Sequence, residues 1–120
     1  MFVIRDREIT MHRGDTGALT VRVTGASFAS ADRAIFTVCD AQKNIMLEQV
    51  CEVTNGAFTV TFANGTSDQW PAGNYYYQIR YAFSPEYGEN DKIVSGSRVW
   101  TDGDDWKQNK LTVLDVIYSI

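Results

Sequence analysis

Apolar and polar residues alternate along most of this chain, and no stretch of useful length sustains the three-and-four spacing of an amphipathic helix. Phe2-Val3-Ile4 reads as a short first strand. Ala18–Thr24 alternates cleanly, with Leu19, Val21 and Val23 on one face, before Gly25–Ser30 breaks the pattern. Arg33–Cys39 follows with Ala34, Phe36 and Val38 on a shared face, and Ile45–Val53 returns along it after a four-residue loop, Ala41–Asn44, forming a hairpin. That loop length sets Asp40 opposite Ile45, Cys39 opposite Met46 and Ala34 opposite Cys51. Asn55-Gly56 is a two-residue turn of type I′, whose central positions both need positive φ. Ala57–Phe62 leaves it with Phe58, Val60 and Phe62 facing inward. The longest strand is Tyr75–Phe83: Tyr75, Tyr77, Ile79, Tyr81 and Phe83 point to one side and Tyr76, Gln78 and Arg80 to the other. Lys92–Trp100 and Leu111–Tyr118 complete the set, separated by the loop Thr101–Lys110. Seven to eight short strands at this spacing predict an all-β, antiparallel sandwich with one core between two sheets. No repeat, linker or low-complexity tract divides residues 1–120, so one domain is expected.

The 120 residues suffice to bury one core, and 44% hydrophobic with 22% charged residues is ordinary globular composition. A formal charge of -4 repels phosphate backbones, so nucleic acid is not an expected partner. Arg5, Asp6, Arg7 and Glu8 interrupt the place where a secretory signal would need an apolar run, and no window is long and apolar enough for a membrane anchor. The expectation is a chain made in the cytoplasm and kept off the membrane. Cys39 and Cys51 fall several rows apart on opposite faces of the predicted hairpin, beyond the reach of a disulfide. Both read as free thiols, Cys51 the more buried.

Trp70-Pro71-Ala72-Gly73-Asn74-Tyr75 resembles the corner before the penultimate strand of immunoglobulin-like domains, where a tyrosine buries its ring and returns its hydroxyl to the backbone upstream. Tyr75 is the corner residue in this reading, and the fold becomes an Ig-like β-sandwich. A longer order of features is similar to the N-terminal domain of phage baseplate upper proteins and related tail Ig-like modules. These features are Ile9–Thr16 with Gly14-Asp15-Thr16, a strand pair after Asp32-Arg33-Ala34, and Pro71-Ala72-Gly73-Asn74-Tyr75-Tyr76-Tyr77 leading into Gln78–Tyr81. The resemblance spans residues 8 to about 100, and beyond it this chain adds an acidic loop and Leu111–Ile120. It implies a non-enzymatic virion protein of the tail or baseplate, assembling with copies of itself and with other tail proteins and carrying no catalytic residues; no cofactor or metal is expected.

Chemistry-bearing motifs are sparse. Arg13-Gly14-Asp15 spells an adhesion tripeptide, but Gly-Asp-Thr before a strand is ordinary turn chemistry, with Asp15 accepting from a backbone amide two residues on. Asp102, Asp104 and Asp105 concentrate carboxylates in one loop without the spacing of an EF-hand, which reads as a solvated turn. His12, the single histidine, has no nucleophile arranged beside it, and no phosphate loop or nucleophile elbow occurs. Binding is therefore expected through apolar and aromatic surface. Leu111, Val113, Leu114, Val116, Ile117 and Tyr118 form a last strand apolar on both faces, suited either to burial by a neighbouring subunit or to closing the chain's own sandwich. Trp100, Trp106 and Tyr76 join them as interface candidates. The alternative use of exposed aromatics is stacking on sugar rings, which would make the chain a carbohydrate-binding accessory module.

Overall fold

A computed structural model describes residues 2–5, 8–23, 27–95, 98–101 and 109–114. Every regular element among them is a strand, apart from one 3-10 turn at Glu89–Asp91. The strands are β1 (Val3–Arg5), β2 (Glu8–His12), β3 (Gly17–Arg22), β4 (Arg33–Cys39), β5 (Ile45–Glu52), β6 (Ala57–Phe62), β7 (Gly73–Phe83), β8 (Glu86–Tyr87), β9 (Ile93–Ser95), β10 (Arg98–Thr101) and β11 (Lys110–Leu114). Eight of these contain four residues or more. The large sheet runs β1-β2-β11-β7-β4-β5, with β10 also paired to β7, and β3 pairs with β6 in a second sheet. The pairing of β2 with β11 is parallel and the other ladders are antiparallel. This is an all-β sandwich with mixed pairing in its large sheet and the β3–β6 pair as its facing layer.

The alternation that predicts the strands also sorts their faces. On β7, Tyr75, Tyr77, Ile79 and Tyr81 are buried, while Tyr76, Gln78 and Arg80 between them are only partly covered. From the opposite layer come Leu19, Phe58, Val60 and Phe62, all buried. Phe58 meets Tyr81 edge-on at 6.3 Å between ring centroids, and Phe62 meets Trp70 edge-on at 6.2 Å. A two-stranded layer cannot cover the whole inner face of the larger sheet, so irregular segments finish it. Phe28, in the break after β3, stacks at 5.4 Å on Phe83 and 5.5 Å from Tyr81. Trp70, in the crossing from β6 to β7, lies 5.5 Å from Tyr75. The Tyr75 hydroxyl donates to the Pro71 carbonyl at 2.6 Å, which is the predicted tyrosine corner.

Three differences from the pattern-based reading have local causes. Glu8–His12 is a strand, carrying Ile9 and Met11 into the core, because its parallel partner β11 arrives from the far end of the chain. The expected strand Lys92–Trp100 is two: β9 pairs with β8, and β10 pairs with β7. The hairpin loop between β4 and β5 has three residues, Ala41–Lys43, with Lys43 at φ 65° and its amide bonded to the Asp40 carbonyl at 3.1 Å. Cys39 therefore faces Ile45, and an irregularity leaves Met46 unpaired before Val38 meets Leu47. From that row to Arg33 opposite Glu52 the partners are those expected, including Ala34 with Cys51.

Where β5 passes through the Asn55-Gly56 turn into β6, the chain changes sheets. Both turn residues have positive φ, 53° and 72°, as type I′ requires. The strands then part, and the Gln49 side chain bridges them: its carbonyl accepts the Thr61 amide at 2.7 Å and its amide donates to the Thr61 carbonyl at 3.0 Å. Asp32 ties the other end. Its carboxylate, 5% exposed, accepts the Ala29 amide at 2.7 Å and the Ser84 amide at 2.9 Å, so one side chain joins the Phe28 loop to the end of β7. Charged acceptors of backbone amides are among the stronger hydrogen bonds, and an unfilled site strands both donors. Asp32→Ala is expected to lower stability by about 3 kcal/mol, and Asp32→Asn by less because its carbonyl still accepts. Urea denaturation of the three proteins measures both.

Candidate functional site

With its inner face closed, the large sheet presents an outer face whose rows follow from the register. Cys39 lies between Tyr76 and Ile45, Thr37 between Gln78 and Glu48, and Ile35 between Arg80 and Val50. Ile45 should have pointed inward had strict alternation continued from Leu47. The three-residue loop and the unpaired Met46 turn it outward, where it is 64% exposed. It borders a groove of about 500 Å³ lined also by Tyr76, Cys39, Thr37, Gln78 and the charged side chains Lys43, Glu48 and Arg80. This volume falls within the range of ordinary ligand clefts, and the lining mixes Ile45, Cys39 and Tyr76 with polar and charged side chains. Arg80 reaches Glu48 at 3.4 Å and Arg33 reaches Glu52 at 3.7 Å. Both pairs are solvent-accessible, so each contributes at most about 1 kcal/mol to stability and acts mainly to hold charge in place on the face.

A second cleft of about 580 Å³ lies between β5 and β6, lined by Val50, Cys51, Thr59 and Thr61 around the Gln49 bridge. It marks where the two sheets part. Cys51 is buried on the inner face and Cys39 half-buried on the outer one, both unpaired thiols. Burial pushes both thiols up from their ordinary value, and the neighbouring Asp40 charge adds to the effect at Cys39.

The sequence-predicted interface residues separate. Leu111 and Val113 are 0% and 1% exposed and sit in this chain's own core, because β11 is hydrogen-bonded between β2 and β7. They are not available to a neighbouring subunit, and over residues 110–114 the last strand closes its own sandwich. Leu114, opposite His12, is 41% exposed at the end of the same strand. Tyr76 belongs to the groove. The backbone of Trp100 pairs with Tyr81. The Trp100 side chain, and Trp106, Val116, Ile117 and Tyr118 entirely, lie outside the described residues, as do Asp102, Asp104 and Asp105. Asp15 curls back into its own turn: it accepts the His12 amide at 2.9 Å, upstream rather than two residues on, while the Gly14 amide donates to Ser67 at 2.9 Å. Among the described residues no three His, Cys, Asp or Glu side chains cluster to hold a metal ion, and no helix is long and apolar enough to cross a membrane.

Pattern reading missed Ile45, Cys39, Lys43, Glu48 and Arg80 as one site. The local signal was Asp40: its carboxylate accepts the Gln42 and Asn44 amides and the Asn44 side chain, each at 2.9 Å, which selects the shorter loop. Comparison with protein-family models, with curated proteins and with solved structures finds no match.

The Asn44 side chain first, then the Asn44 and Gln42 amides, hold the Asp40 carboxyl below its ordinary 3.8. A depressed carboxyl contributes stability above its unfolded value, and that contribution is lost as pH falls through the lower folded value. Amide exchange at Gln42 and Asn44 is therefore expected to accelerate, beyond the intrinsic trend, as pH drops below 3.8. In Asp40→Asn that extra pH dependence should disappear.

Proposed function

We propose that the chain is a non-enzymatic structural protein of a phage or prophage tail, working through protein–protein contact on the outer face of its large sheet. The observation that carries this is Ile45, 64% exposed beside Tyr76 in a groove framed by charges. A large aliphatic side chain turned to solvent by a local irregularity, next to an aromatic, has the composition of an interface centre with a charged rim. The edge of the same sheet is a poorer docking surface. β5 carries Glu48 and Glu52 and its ladder to β4 is broken at Met46, features that discourage pairing with another strand. Support for the tail assignment is the order of features shared with baseplate modules: Gly14-Asp15-Thr16 before β3, the hairpin after Asp32, and the Pro71–Tyr77 corner.

Sedimentation velocity tests the interface. The protein is expected to associate as its concentration rises, and Ile45→Glu to weaken association about tenfold or more. Its melting temperature should move by no more than about 2 °C, since the position is exposed. A monomer at all concentrations whose tryptophan fluorescence changes with polysaccharide would instead identify a carbohydrate-binding module and overturn the assignment.

A further inference from the structure

We infer that the outer groove receives the β8–β9 ribbon of a second copy of this chain, joining copies head to tail; the inference rests on the outer-face reading above and names its occupant. The ribbon leaves the end of β7 at Ser84, pairs Glu86 with Ser95 and Tyr87 with Ile93, and among the described residues forms a sheet only with itself. Its turn is fixed by the Gly88 amide donating to the Lys92 carbonyl at 2.7 Å. Near the tip Tyr87 is 47% exposed, an aromatic that the described chain leaves largely in solvent.

Charge and shape both match the groove. Between residues 86 and 92 the ribbon carries Glu86 and Glu89 against Lys92. In the groove Arg80 is paired with Glu48, and the remaining charges are cationic: Lys43, and Lys110 opposite Tyr76 on the adjoining strand. A cleft of about 500 Å³ with Ile45 and Tyr76 on its walls has room for a tyrosine ring, and cations at its margin suit carboxylates on either side of that ring.

Distance makes the contact intermolecular. The ribbon starts beyond Phe83, while Tyr76 lies seven residues back along β7, roughly 23 Å at strand rise. Donor and acceptor thus occupy different ends of one strand. Such a contact is heterologous: repetition gives a ring if the rotation closes and a filament if it does not, whereas a two-fold dimer would need one patch facing itself. A ribbon-in-groove contact is small, so micromolar affinity is expected.

Complementation tests it. Tyr87→Ala with Glu86→Lys and Glu89→Lys removes the donor, and Ile45→Glu removes the acceptor; circular dichroism and melting curves check that both fold. In sedimentation velocity from about 1 μM to 0.2 mM, a range that spans a micromolar Kd, the unaltered protein should associate beyond dimers and each variant alone should need at least about tenfold more protein to do so. Mixed, the two should form 1:1 dimers that grow no further. If the donor variant assembles like the unaltered protein while Ile45→Glu does not, the ribbon is not the occupant and the outer-face reading survives. If neither variant alters assembly, both fall. If the unaltered protein is monomeric throughout, or the mixture fails to dimerise, the head-to-tail contact is overturned.

Discussion

The central strand β7 is the constraint on which the molecule depends. Across its length it is hydrogen-bonded to β4 on one side, and to β11 and then β10 on the other. Its inward rings touch the remaining parts of the core: Tyr81 meets Phe58 of the facing sheet, Tyr75 meets Trp70 of the crossing segment, and Tyr77 stacks on Phe36 at 5.4 Å. Because side chains alternate strictly along a strand, a slip of one residue in β7 would turn these rings to water and expose the core from both layers at once. The tyrosine corner pins that register at its start, where Tyr75 is bonded to Pro71.

A second consequence follows from the unequal layers. The facing sheet has two strands, so coverage of the inner face relies on Phe28 and Trp70, which come from segments without regular pairing. Such segments contribute rings only if they are held, and each has its anchor. Asp32 binds the Phe28 loop to the end of β7, while the Gly14 amide donates to the buried Ser67 beside the Trp70 crossing. Gln49 performs the related task where β5 and β6 separate, using a side-chain amide to satisfy backbone groups of a strand edge that lacks a partner there.

The outer face is the part of the large sheet that the packing of the described residues leaves uncovered. Its apolar content is concentrated in rows set by the β4–β5 and β4–β7 registers, and its charges are held in pairs across the strands. The apolar surface of β11, by contrast, has been drawn inward by its pairing between β2 and β7. An apolar strand near the end of a chain is equally suited to a foreign partner and to its own core; here Leu111 and Val113 are in the core, and Ile45 and Tyr76 are what the face presents.

Alternation alone determined that this chain is an all-β sandwich, which faces of β4, β6 and β7 are inward, and that Asn55-Gly56 reverses the chain, because periodicity and turn chemistry are local properties carried by neighbouring residues. The Tyr75 corner was legible for the same reason. Tertiary structure decided what depends on distant partners: that Glu8–His12 becomes a core strand beside β11, that Lys92–Trp100 divides between two ladders, and that Leu111 and Val113 belong to the interior. It also decided the site. A one-residue change in loop length is almost invisible in a pattern of alternation, yet it reverses the face of every residue up to the point where the register is restored, and between Cys39 and Leu47 that reversal is what places Ile45 in the groove.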